Sequence, residues 1–220
     1  MRGKAGLDRV RPCLLGVCMA VGLMAFAGLS ETRADLLASD PAAMPGWSGT
    51  LDADYASGTD RLHVLIDHAV FAPGQYPGDA TNKDTEFVYA YQAFNQTVSS
   101  VALTSLSVGL EANSGAHGIG DDVSAGQPGV AGGISPDMSV IGSSSARWGF
   151  GWIGGNEVVA GQVSTVLIFS SPNGPTWDTA TLLDGGFSTT AGLLPSPVPE
   201  PATLLLLGIG AVGLAIRKRR

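Results

Sequence analysis

The side chains that could do chemistry in this 220-residue chain form four small groups. Asp52, Asp54 and Asp60 open like a calcium-binding loop. Such a loop needs an oxygen ligand at its fifth position, a glycine at its sixth and a glutamate at its twelfth. Those positions hold Ala56, Ser57 and His63, which leaves a polar turn before a strand as the simpler reading. His63, Asp67 and His68 lie in the Val/Leu/Ile-rich run Arg61–Phe71. In a strand, alternate side chains point to opposite faces, so His63 and Asp67 share one face and His68 takes the other. The two histidines therefore cannot chelate one ion from a regular strand, and His63 with Asp67 lacks an evident third ligand. His117, Asp121, Asp122 and Asp137 sit in the glycine-rich stretch 111–145. They would make a calcium site, or a carboxylate pair for glycoside hydrolysis, only if that stretch folded back on itself. The fourth group is aromatic. Tyr89 and Tyr91 alternate in one run, and Trp148, Phe150 and Trp152 in another. Period-two rings are either sandwich core or a platform on which sugars stack, and Trp148, Trp152 and Tyr91 are the candidates for the latter.

No nucleophile elbow of the G-x-S-x-G type, Walker loop or H-E-x-x-H motif is present. The expectation is a protein without catalysis, cofactor or metal, in which the acids of 111–145 are the only foothold for a secreted hydrolase. Charge narrows the partners further. Nine of the twelve bases lie near the two ends, so the segment 35–197 holds three bases against sixteen acids, a net of −13. Such a surface repels nucleic acid and anionic membrane faces. Both cysteines, Cys13 and Cys18, precede Asp35, so nothing after it can form a disulfide or a thiolate metal site.

These groups would be positioned by strands. Short alternating runs at 61–71, 86–95, 98–110, 147–153, 162–170 and 177–183 are separated by Gly/Pro turns. No stretch between Asp35 and Pro197 keeps a helical period. The fold expected is an all-β sandwich of about eight strands over 35–186, with a jelly roll as one form of it. A lead-in before Gly58, a long loop at 111–145 broken by fragments such as Met138–Ile141, and a Thr/Gly/Pro linker at 187–198 complete the expected domain.

The ends are targeting segments. Residues 1–12 carry Arg2, Lys4, Arg9 and Arg11, and 13–29 are apolar and uncharged, the pattern of a secretory signal peptide over 1–34. Cleavage is expected after Ala34, with Ala27 as the competing site. At the other end, Pro199-Glu200-Pro201 precedes the uncharged run 202–216 and the basic stop Arg217-Lys218-Arg219-Arg220. Fifteen helical residues rise about 22 Å, short for a bilayer core of about 30 Å, and the four cations favour the cytoplasmic side. The two prolines hold the preceding peptide extended, within reach of a processing enzyme.

That order resembles the PEP-CTERM sorting signal of bacterial exported proteins. The run Y-A-Y-Q-A-F-N followed by S-S-V is also similar to a segment of the extracellular domains of such proteins. The resemblance implies export through Sec, a C-terminal transmembrane helix held in the inner membrane, and cleavage by an exosortase near the tripeptide. It implies release to the cell surface or an exopolysaccharide matrix, with exopolysaccharide as a further partner. Pro199, Glu200 and Pro201 would be the recognition residues, and Arg217, Lys218, Arg219 and Arg220 the orientation signal. An anchor that is never cleaved is the plainer alternative for the tail.

Overall fold

The strand β2 (Asp60–Phe71) fixes the layering, because it is apolar on both faces. Leu62, Val64, Ile66 and Val70 point into the main core, while Ala69 and Phe71 join a second apolar cluster. The computed structural model describes residues 36–199. The expected signal segment with Ala27 and Ala34, and the C-terminal residues from Glu200 onward, lie outside the described residues.

Among the described residues ten strands form two antiparallel five-stranded sheets. The first has the order β1 (Ser48–Ser57), β2, β3 (Phe87–Asn95), β8 (Val166–Ser171), β5 (His117–Asp122). The second has the order β10 (Ser188–Pro197), β9 (Pro175–Leu183), β4 (Ser105–Gly109), β7 (Ser145–Gly149), β6 (Met138–Ile141). The main core lies between them: Tyr89, Tyr91, Leu167 and Phe169 from the first sheet meet Leu106, Val108, Trp148 and Leu182 from the second. Tyr89 stacks on Phe169 with centroids 4.9 Å apart, and the buried Trp148 indole donates to the Gly120 carbonyl of β5 at 2.8 Å. The outer face of the first sheet is not bare. Val88, Ala90, Val166 and Ile168 are covered there by Leu37 of the lead-in and Tyr76 of the 72–86 loop.

The all-β sandwich agrees with the sequence reading, with differences in detail. The first three strands are a meander within one sheet, joined at β1–β2 by a two-residue turn with Gly58 at φ 62°. A jelly roll would send them alternately to the two sheets. The strand expected at 147–153 ends at Gly149, because Gly151 adopts φ 77° and turns the chain away. The expected linker 187–198 is instead occupied by β10, paired with β9 from Ser188 to Pro197 with a bulge at Ala191. Its prolines are tolerated because β10 is an edge strand, where a missing N–H costs no ladder bond. The lead-in likewise contains β1, and the 111–145 loop contains β5 as well as the anticipated fragment at Met138–Ile141.

Candidate functional site

The sorting segment is attached to the fold without slack. At the end of β10, Leu194, Pro195, Ser196 and Pro197 are all buried. The Tyr91 hydroxyl donates to the Pro195 carbonyl from the far sheet, and Ser196 Oγ donates to the Gly109 carbonyl at 2.6 Å. The Val198 amide donates to the Gly174 carbonyl at 3.0 Å. Pro199 is therefore one residue beyond a pinned backbone. Glu200, Pro201, Arg217, Lys218, Arg219 and Arg220 lie outside the described residues.

The charged candidates are spent on holding the sandwich. On the outer surface of the β1–β2 ribbon, Arg61 donates to both oxygens of Asp54 at 2.9 and 2.6 Å. The Arg61 guanidinium holds the Asp54 carboxyl below its ordinary range. His63 Nε2 lies 2.8 Å from Asp52 Oδ1. The third member of that group, Asp60, accepts from the Thr59 hydroxyl at 3.4 Å. Asp67 is fully buried and accepts from Thr50 Oγ1 at 2.7 Å. His68 faces the other way, as the alternation requires, edge-on to Trp177 with centroids 5.6 Å apart. Burial lowers its pKa, which keeps the ring neutral at neutral pH.

The 111–145 group is pulled apart rather than gathered. His117 and Asp122 stand at opposite ends of β5, facing Ser170 and Val166 of β8, about 13 Å apart along a strand. His117 Nε2 is 3.0 Å from Glu86 Oε2 and 3.1 Å from Asn82 Nδ2, partners that sequence spacing gave no reason to join to it. Asp121 accepts from Thr165 Oγ1 at 3.0 Å. Asp122 is a loop staple: Oδ2 accepts from the Tyr76 hydroxyl at 2.8 Å and the Asp79 amide at 2.9 Å, and Oδ1 from the Ser124 amide at 2.8 Å. Burial alone would raise its pKa; the bonds from Ser124, Tyr76 and Asp79 outweigh that and lower it. Asp137 faces the Ile153 amide at 3.4 Å and Asn156 at 3.5 Å, away from the other three. Among the described residues no three His, Cys, Asp or Glu side chains are placed to hold a metal ion.

The aromatic candidates divide. Tyr91 and Trp148 are fully buried core, with centroids 5.7 Å apart. Trp152 is 61 % exposed and Ile153 83 %, on the turn after β7. The Arg147 guanidinium lies 5.4 Å from the Trp152 ring centroid. Strand pairing locates this turn. Pro197 is opposite Pro175 at one end of β9, whereas Leu183, Ser105 and Gly149 are aligned at the other end. Trp152 is thus at the end of the second sheet remote from the sorting segment. The glycines at 149, 151 and 154 have the spacing of a dinucleotide-binding turn. No helix follows them among the described residues, and a helix N-terminus is what would hold the pyrophosphate.

The family model of the PEP-CTERM protein-sorting motif matches residues 197–220. No curated protein and no solved structure matches the chain. The C-terminal segment is therefore a PEP-CTERM sorting signal, which marks an exported substrate of an exosortase.

Proposed function

We propose that this exosortase-sorted exported protein has a structural or adhesive role, without catalysis, at the cell surface or in an exopolysaccharide matrix. The observation that carries the reading is the junction at Pro197, where the sorting motif begins in the last residue of a folded strand. A signal so attached delivers the whole sandwich: a cut near Pro199-Glu200-Pro201 leaves every strand intact. The non-catalytic part of the reading is supported by the use of Asp121 and Asp122 as acceptors for Thr165, Tyr76, Asp79 and Ser124. Export is attributed to Sec through the signal-like segment 1–34, with transient retention in the inner membrane through 202–216.

Intact mass of the protein recovered from envelope and medium, beside a variant with Pro199, Glu200 and Pro201 changed to alanine, tests the sorting role. The wild type should lack Arg220 and the variant should keep it and stay membrane-bound. If both retain Arg220, the tail is an anchor and the account of the destination fails.

A second reading, carbohydrate binding, is favoured by one observation only: Trp152 is solvent-exposed at the end of the sandwich remote from the tail. Affinity electrophoresis in polysaccharide gels checks it. Retardation that disappears in Trp152→Ala supports the reading, and equal migration of the two proteins ends it.

A further inference from the structure

A second exposed aromatic group lies at the opposite end, beside the sorting segment. Trp177 is 43 % exposed and stacks on the half-buried Trp47, with centroids 5.1 Å apart and planes 25° apart. Its cross-strand partner is Pro195, two residues before the end of β10. The geometry points to this end of the sandwich, with Trp47 and Trp177 at its surface, as a docking face for the zwitterionic headgroup boundary of the bilayer that holds the chain's own tail.

The Val198 amide is tied to the Gly174 carbonyl, so the tether starts at a fixed point of the fold. From Val198 to Ala202, where the uncharged run begins, there are four residue steps. Extended chain spans at most about 3.3–3.6 Å per residue, so the tether reaches about 14 Å at most. The headgroup layer occupies roughly 5–7 Å of that, since a bilayer is about 40–45 Å thick over a core of about 30 Å. Before cleavage, this end of the sandwich is held against the interface and cannot be swung away from it. Tryptophan is the side chain that gains most there, its ring meeting the acyl boundary while the indole N–H stays with water and headgroups. The stacking of Trp177 on Trp47 supplies a rigid double ring. The segment 35–197 carries a net charge of −13, which selects zwitterionic over anionic lipid. The same orientation directs the Trp152 turn away from the membrane.

The inference rests on the sorting reading only in that residues 202–216 enter a bilayer; it does not need the exosortase. The test uses the uncleaved chain incorporated in phosphatidylcholine vesicles carrying either a shallow or a deep doxyl-labelled lipid. The shallow label should quench tryptophan emission more than the deep one. Trp177→Phe should lose most of that quenching, while Trp152→Phe keeps it. A ten-residue Gly/Ser insertion between Val198 and Pro199 should retain part of it, because the face has an affinity of its own. Near-ultraviolet circular dichroism of Trp177→Phe guards against a folding defect, and the insertion variant keeps all four tryptophans as an independent check. Loss of all quenching in the insertion variant would reduce the contact to forced proximity and overturn docking. So would quenching that depends on Trp152, or a Trp177-dependent dimer with no quenching. A chain that floats with the vesicles without quenching sinks the docking face alone. One that does not float sinks the membrane reading of the tail.

Discussion

The sharpest consequence of the structure concerns where the mature domain must end. A sandwich ending at residue 186 would leave 187–198 as dispensable linker, whereas the folded chain uses those residues as β10. Removing everything after Phe187 deletes the fully buried Leu194 side chain, worth about 1.5–3 kcal/mol of burial. It strands the buried Tyr91 hydroxyl, whose acceptor is the Pro195 carbonyl, at a further ~1–3 kcal/mol. It also removes the ladder partner of β9 from Pro175 to Leu183 and uncovers the core beside Leu51, which packs against Gly192. The first two terms alone come to ~2.5–6 kcal/mol, a large part of the whole stability of many domains at ~5–15 kcal/mol. A chain ending at Phe187 should therefore be unfolded or close to it. One ending at Pro199 should have the same urea midpoint as the uncut domain. Far-ultraviolet circular dichroism against urea, on both truncated chains, reads this directly. If the chain ending at Phe187 unfolds with the midpoint of the longer one, β10 contributes nothing and the reasoning from its burial is refuted.

Other perturbations test the packing and the electrostatics. Trp148→Ala should lower stability by ~3–5 kcal/mol in the same assay, since it empties the centre of the core and removes the indole bond to the Gly120 carbonyl. Asp122 has a lowered folded pKa, so its contribution is fully present above the unfolded value near ~3.9 and is lost as pH falls through the folded one. Stability profiles between neutral pH and about pH 3 should show the wild type losing more than Asp122→Asn over the acid limb; parallel profiles would remove Asp122 from the acid response. Gly133→Ala would drive a methyl group into the backbone carbonyl of Ser164 and should cost ~1–3 kcal/mol, while Gly185→Ala meets nothing within 4 Å and should leave the urea midpoint unchanged.

The pattern of what the sequence disclosed has a physical basis. β2, β3 and β8 are interior strands of the first sheet, buried on both faces, and their Val/Leu/Ile and aromatic runs are visible without structure. β1, β5 and β10 are edge strands and passed for lead-in, loop and linker. An edge strand needs few large side chains and admits what a central strand rejects: aspartates in β1, glycines in β5, prolines in β10. Strand propensity is mostly packing in disguise, so it fades where packing is one-sided. The aromatic run after Arg147 misled for a different reason. Its alternation continues to Trp152, but the positive φ of Gly151 breaks the strand, sending Trp148 into the core and Trp152 into solvent. Among the charged candidates, the separation of His63 from His68 was legible from alternation alone. The pairing of His117 with Glu86 was not, since only the fold brings 86 and 117 together.

The two ends of this sandwich are chemically unlike, and the sorting segment gives that difference a direction. If residues 202–216 enter a bilayer as proposed, the tie of Val198 to Gly174 would keep the Gly174 turn and Trp177 near it and Trp152 far from it. An enzyme that cuts at the tripeptide would then work in the narrow gap between a folded strand and the lipid, since β10 cannot lend it residues without giving up Leu194 and the bond to Tyr91. Cleavage would remove the constraint in one step: the face carrying Trp47 and Trp177 would lose its tether, and a net charge of −13 on 35–197 gives it no electrostatic attraction to a bilayer. On this reasoning release follows from the cut itself, and a longer tether should weaken the coupling between cutting and leaving by permitting the domain to leave the surface first.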